Sequence, residues 1–91
     1  MTTKQKKVYD YLIMWAENEV RLGNSTNEGL AEYGPMGMDD FGGAMFNGVW
    51  EAGYSHQIVD DAAYGGNKTG YSYKILEAVE EAFKEHFKNK R

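Results

Sequence analysis

The chain has 91 residues, a formal net charge of minus four and no cysteine. That length allows one domain with a modest core and excludes separate catalytic and binding modules, while the lack of thiols excludes disulfides and thiolate metal sites. With 42% hydrophobic and 26% charged residues the composition is globular, and the 14% aromatic share, seven of them Tyr, lends bulk to a small core.

In "TTKQKKVYDYLIMWAENEVRLG", Thr2 and Gln5 have the spacing of a capping box. Val8, Leu12, Trp15 or Ala16, and Val20 then recur at helical intervals until Gly23, which predicts a first helix over roughly residues 4–21. Lysines precede the apolar residues here, but Asp10, Glu17 and Glu19 break the run. It therefore fails as a signal peptide or membrane span, and the chain reads as cytoplasmic. The sequons Asn24-Ser25-Thr26 and Asn67-Lys68-Thr69 would matter only in a secretory pathway and are read as chance.

"STNEGLAEYGP" repeats the capping logic with Ser25 and Glu28, offers Leu30, Ala31 and Tyr33 as a short buried edge, and stops at Gly34-Pro35. A two-turn second helix is expected. Asp39 and Asp40 then stand where carboxylates favour the positive end of a helix dipole, and Phe41, Met45, Val49 and Ala52 form the apolar row of a third helix ending at Gly53.

Beyond it the period changes. "YSHQIVD" and "GYSYKIL" are β-prone, and the intervening "DAAYGGNKT" carries the turn chemistry of Gly65-Gly66-Asn67, so a β-hairpin is predicted. A final helix over 75–90 places Leu76, Val79, Phe83 and Phe87 on one stripe, with acids early and Lys84, Lys88, Lys90 and Arg91 late. Trp15, Leu12, Leu30, Phe41, Met45, Val49, Tyr71, Tyr73, Val79 and Phe83 are expected to supply most of the core.

Helix, short helix, turn, helix, hairpin and terminal helix is the order of a winged-helix domain, and the chain resembles that superfamily at the level of topology. The likeness rests on "LAEYG" as second helix and turn, "FGGAMFNGVWEAGYSHQI" as third helix running into a strand, and "GGNKTGYSYKIL" as wing and returning strand. It implies an α+β fold in a single domain over 1–91, with three N-terminal helices, a β-hairpin wing and a C-terminal helix. It also implies a homodimer paired through Leu76, Val79, Phe83 and Phe87. The residues equally allow that stripe to pack on the first helix of its own chain, and both options stay open.

The family's usual role is DNA binding through the third helix, and here the charge opposes it. From Leu22 to Asn67, 46 consecutive residues, the charged side chains are Glu28, Glu32, Asp39, Asp40, Glu51, Asp60 and Asp61, with no Lys or Arg. DNA affinity comes largely from cations that replace counterions at phosphates, and base readout leans on Arg. Capping explains Glu28, Asp39 and Asp40 well and the remaining acids less well. Phe46 and Trp50, four apart and displaced from the apolar row, are candidate anchors for a protein partner or else core side chains.

Catalytic signals are weak. His56 with Asp60 and Asp61 is one histidine and two carboxylates without metal-ligand spacing, and His86 between Phe83 and Phe87 fits a packing or helix-terminal role. No nucleophile elbow, phosphate loop or paired-histidine motif occurs. The expectation is a non-enzymatic protein-binding module without cofactor or metal. Its acidic surface, made of Glu28, Glu32, Asp39, Asp40, Phe46, Trp50, Glu51, Asp60 and Asp61, would act as a DNA mimic toward a basic nucleic-acid-binding protein. By analogy, small phage-type inhibitors work this way. The alternative is a homodimeric DNA-binding transcription regulator that uses Lys4, Lys6, Lys7 and Lys68.

Overall fold

Thr2 opens the first helix as its spacing predicts. In the computed structural model its Oγ1 accepts from the Gln5 backbone N–H at 3.1 Å, and its own N–H donates to Gln5 Oε1 at 2.9 Å. The structure describes residues 1–63 and 71–90, with 60–63 and 71 described by their backbone alone. Five α-helices follow in order: α1 (Thr3–Arg21), α2 (Asn27–Tyr33), α3 (Phe41–Glu51), α4 (His56–Ala63) and α5 (Tyr71–Lys88), with a 3-10 turn at Gly34–Gly37.

Among the described residues there is no strand, which overturns both the α+β class and the winged-helix resemblance. The two segments expected to form the wing are α4 and the first turn of α5. Two features outweigh the β propensity of Tyr, Ile and Val there. The Ser55 carbonyl accepts from the N–H groups of both Ile58 and Val59, at 3.1 and 3.0 Å, and so starts α4. The buried row Val79, Phe83, Phe87 extends backwards through Leu76 and Ile75 to Ser72, a 3.6-residue period that a strand could not bury on one side. Burial of a face decides the local conformation more strongly than propensity does. The proposed turn at Gly65-Gly66-Asn67 lies outside the described residues.

The start of α2 also differs in detail. Thr26, not Ser25, is the cap, its Oγ1 accepting from Gly29 N–H at 3.0 Å. Ser25 Oγ instead accepts from Asp39 N–H at 3.2 Å and ties the lead-in of α2 to that of α3. Gly34 ends α2 with φ +72°, and a Cβ there would lie 3.2 Å from Lys84 Cε and 3.3 Å from Glu80 Cγ. A left-handed residue in close approach to α5 is needed, and glycine meets both demands.

Packing centres on α5, which touches α1, α2, α4 and the 3-10 turn, while α3 is held between α1 and α4. Val8, Leu12 and Ala16 of α1 meet Leu30 and Ala31 of α2, Ala44, Met45 and Val49 of α3, Val59 of α4 and the stripe of α5 in one core. Leu12, Leu30, Met45, Val49, Val79 and Phe83 are buried as expected. Trp15, Phe41 and Tyr73 are only partly buried against this core, and the Tyr71 side chain lies outside the described residues. Leu76, Val79, Phe83 and Phe87 all enter their own chain's core, with Phe83 and Phe87 fully buried and their ring centroids 4.9 Å apart. Of the two occupants left open for that stripe, the structure contains the intramolecular one.

Candidate interaction surface on the third helix

Burial divides α3 into two faces. Ala44, Met45, Gly48 and Val49 turn inward, so at 3.6 residues per turn Gly43, Asn47 and Trp50 form the outward row, with Phe46 beside it. Asn47 is spent on its own helix, donating from Nδ2 to the Gly43 carbonyl at 2.8 Å. Trp50 is not spent. Its side chain is 55% exposed, whereas Phe46 is partly buried against the core.

The two rings stack with centroids 6.5 Å apart and planes 18° from parallel. His56, exposed at the start of α4, meets Trp50 edge-on at 5.8 Å and 73°. The indole is therefore in contact with a core-anchored ring of its own helix and with a second ring from the next helix. Trp50, Gly53, Tyr54 and His56 line a shallow hollow beside it. At its rim Lys4 reaches across from α1, its Nζ donating to the Gly53 carbonyl at 3.2 Å and lying 5.4 Å from the Tyr54 ring centre. A cation at the carboxyl end of α3 offsets the negative end of that helix dipole.

The other end of α3 is acidic and close-fitting. Asp40 precedes the helix in the left-handed region at φ 54°, and its carboxylate lies over the first turn. A Cβ at position 43 would come within 2.6 Å of Asp40 Oδ2, so Gly43 makes the room that the carboxylate occupies. Along the axis Asp40 and Trp50 are about 15 Å apart, within the span of one bound segment.

Glu28, Glu32, Asp39, Asp40 and Glu51 are all exposed, and among the described residues none of the five is in an ion pair. Elsewhere Asp10 pairs with Lys6, Glu80 with Lys84, and Glu17 with His86 and Lys90, while Glu19, Glu77, Glu81 and Glu85 are in no ion pair among the described residues. The five are thus set apart by the absence of Lys and Arg around them in the sequence and not by lacking a partner. Glu28 and Glu32 stand on α2, Asp39 and Asp40 lead into α3, and Glu51 ends it. Asp60 and Asp61 fall in α4, their side chains outside the described residues. Among the described residues no group of His, Asp or Glu side chains could hold a metal ion.

The lysines considered for nucleic acid do not stand together as free cations. Lys4 is engaged as described, Lys6 is paired with Asp10 and lies 5.1 Å from the centre of the Tyr9 ring, Lys7 is exposed, and Lys68 lies outside the described residues. Among the described residues no helix is long and apolar enough to cross a membrane.

A further polar cluster escaped the sequence reading. Glu17 Oε1 on α1 accepts from His86 Nε2 at 2.7 Å and from Lys90 Nζ at 3.1 Å, joining the first helix to the end of the last. The hydrogen bond from His86, then that from Lys90, holds the Glu17 carboxyl below its ordinary range. Neither spacing nor periodicity signals a pair of residues so distant in the chain. No family model, curated protein or solved structure matches the chain.

Proposed function

We propose that this chain is a non-enzymatic protein-binding module whose working surface is the outward face of α3 with its acidic surroundings, and whose partner is basic. The mode of action is that of a small inhibitor occupying the surface its partner otherwise offers to nucleic acid. The observation that carries the reading is Trp50, an indole 55% exposed, braced by Phe46 and His56, in a stretch without Lys or Arg.

Burying the exposed part of such a side chain is worth on the order of 2–3 kcal/mol, and aromatic anchors of this kind dominate protein interfaces. The exposed carboxylates of Asp39, Asp40 and Glu51, in no ion pair among the described residues, supply the charge that would steer a basic surface onto it. Holding the ring in place beforehand lowers the entropic cost of docking.

The test uses the chain, its Asp39→Lys/Asp40→Lys variant and its Trp50→Ala variant as baits, followed by titration of the purified partner over a range of salt. A basic protein held by the native chain, lost from both variants and released by salt, is the expected result. Retention of the same protein by both variants would place its binding elsewhere. Duplex DNA bound by the native chain at low salt, and bound more tightly by the double lysine variant, would overturn the proposal in favour of nucleic acid.

A further inference from the structure

We infer that Trp50 is the floor of a guanidinium site: the partner group it receives is an arginine side chain, laid flat on the indole of an acidic surface. The inference rests on the proposed protein-binding role of the α3 face and names the group that face recognises.

Three properties of the surface select arginine. The indole offers the strongest ring face for a cation, and it is exposed on a surface that bears unpaired acids. Phe46 and His56 fix its plane, so a flat group can stack without first ordering the ring. Glu51, the next residue of α3, is exposed, with no ion pair among the described residues; about 100° round the helix from Trp50, it adds negative potential to this end of the surface and not a contact to the ring. A guanidinium is planar, weakly hydrated and able to stack while its N–H groups turn toward a carboxylate. An ammonium is a strongly hydrated point charge that gains little from a flat face.

The fold already contains a weaker version of this contact. Lys4 Nζ lies 5.4 Å from the centre of the Tyr54 ring while donating to the Gly53 carbonyl, one turn beyond Trp50. Trp50 is the larger ring and, among the described residues, has no cation over it.

The experiment titrates the full chain with an arginine hexapeptide and with a lysine hexapeptide of equal charge, following the indole N–H signals by NMR. Trp15→Phe assigns which signal is which. The arginine peptide is expected to shift the Trp50 signal and to bind about two- to fivefold more tightly than the lysine peptide, the range for an exposed cation on a ring face. Trp50→Leu keeps an apolar side chain at an exposed position and should abolish that preference while leaving a salt-sensitive attraction common to both peptides. Glu51→Gln should weaken the two peptides alike, because that carboxylate acts through its field and leaves the preference for arginine with the ring. Equal affinity for the two peptides in the native chain, or a preference that survives Trp50→Leu, overturns the guanidinium site and leaves the acidic surface standing. No binding of either peptide at low salt removes both.

Discussion

Glu17 and His86, 69 residues apart in the chain, meet at 2.7 Å and fasten α1 to the end of α5, with Lys90 Nζ on the same carboxylate oxygen at 3.1 Å. Because this contact lowers the Glu17 carboxyl in the folded chain, the stability it lends is present above the unfolded carboxyl's range and is lost as pH falls through the folded value. The Glu17 side chain is 42% exposed, so solvent screening keeps the contribution to about 0.5–1 kcal/mol. Thermal melts of native chain and Glu17→Gln should therefore differ at pH 7 and converge as the pH is lowered below about 4. A difference that persists at low pH would assign the effect to packing and not to charge.

In α3 two adjacent glycines should respond differently to alanine. A Cβ at Gly42 meets nothing within 4 Å, so Gly42→Ala should stabilise the chain by about 0.5–1 kcal/mol through helix propensity alone. At Gly43 the same change must first displace the Asp40 carboxylate from 2.6 Å, which offsets part or all of the gain. Denaturation midpoints of the two variants provide the comparison. In an Asp40→Gly background, which also relieves the left-handed residue at φ 54°, Gly43→Ala should recover the full gain.

The fully buried Phe83 makes the last helix part of the monomer core. Phe83→Ala should cost about 3–5 kcal/mol, a large share of the roughly 5–14 kcal/mol expected for a chain of this size. Phe83→Asp should leave it without cooperative structure by circular dichroism. A folded, smaller species by sedimentation would instead show that the stripe was exposed between copies.

The legible parts of the fold were those where pattern and capping agree. Thr2 with Gln5, the row Val8, Leu12, Ala16, and the row Val79, Phe83, Phe87 each state a helix twice, once by its cap or charge pattern and once by its period. Residues 54–76 state conflicting things. Ile58, Val59, Tyr73 and Ile75 favour strands intrinsically, and only the tertiary partners of Val59 and Ile75 show that a helical face is being buried. Ser72, small, polar and buried, hid the link that continues the α5 stripe backwards. For the candidate surface, the charge of the middle segment was readable directly. The outward turn of Trp50 was not, since Phe46 and Trp50 have the same spacing whether they face core or solvent.

Among the described residues, two buried polar atoms on α1, Trp15 Nε1 and Glu19 Oε2, have no hydrogen-bond partner although their residues are one turn apart. An unsatisfied buried group costs about 1–3 kcal/mol. Glu19→Met, similar in length and free of charge, should therefore raise the denaturation midpoint. An unchanged or lowered midpoint would mean that Glu19 gains its keep by a contact that the methionine cannot make.

Kinetics separate the two halves of the proposed surface. Charges around an interface act over a distance before contact, so Asp39→Lys/Asp40→Lys should lower the association rate for the basic partner and flatten its salt dependence, with a smaller change in dissociation. Trp50 acts only once docked, so Trp50→Ala should leave association within about a few-fold and raise dissociation by roughly thirtyfold or more, the effect of losing an anchor worth about 2 kcal/mol. The same reversal on α2, Glu28→Lys/Glu32→Lys, places positive charge on another element and should slow association less than the pair that leads into α3. If Trp50→Ala altered association alone, the indole would be a bystander and the carboxylates the whole of the surface. If the α2 reversal were the more damaging, the docking face would centre on α2 and α5 and not on α3.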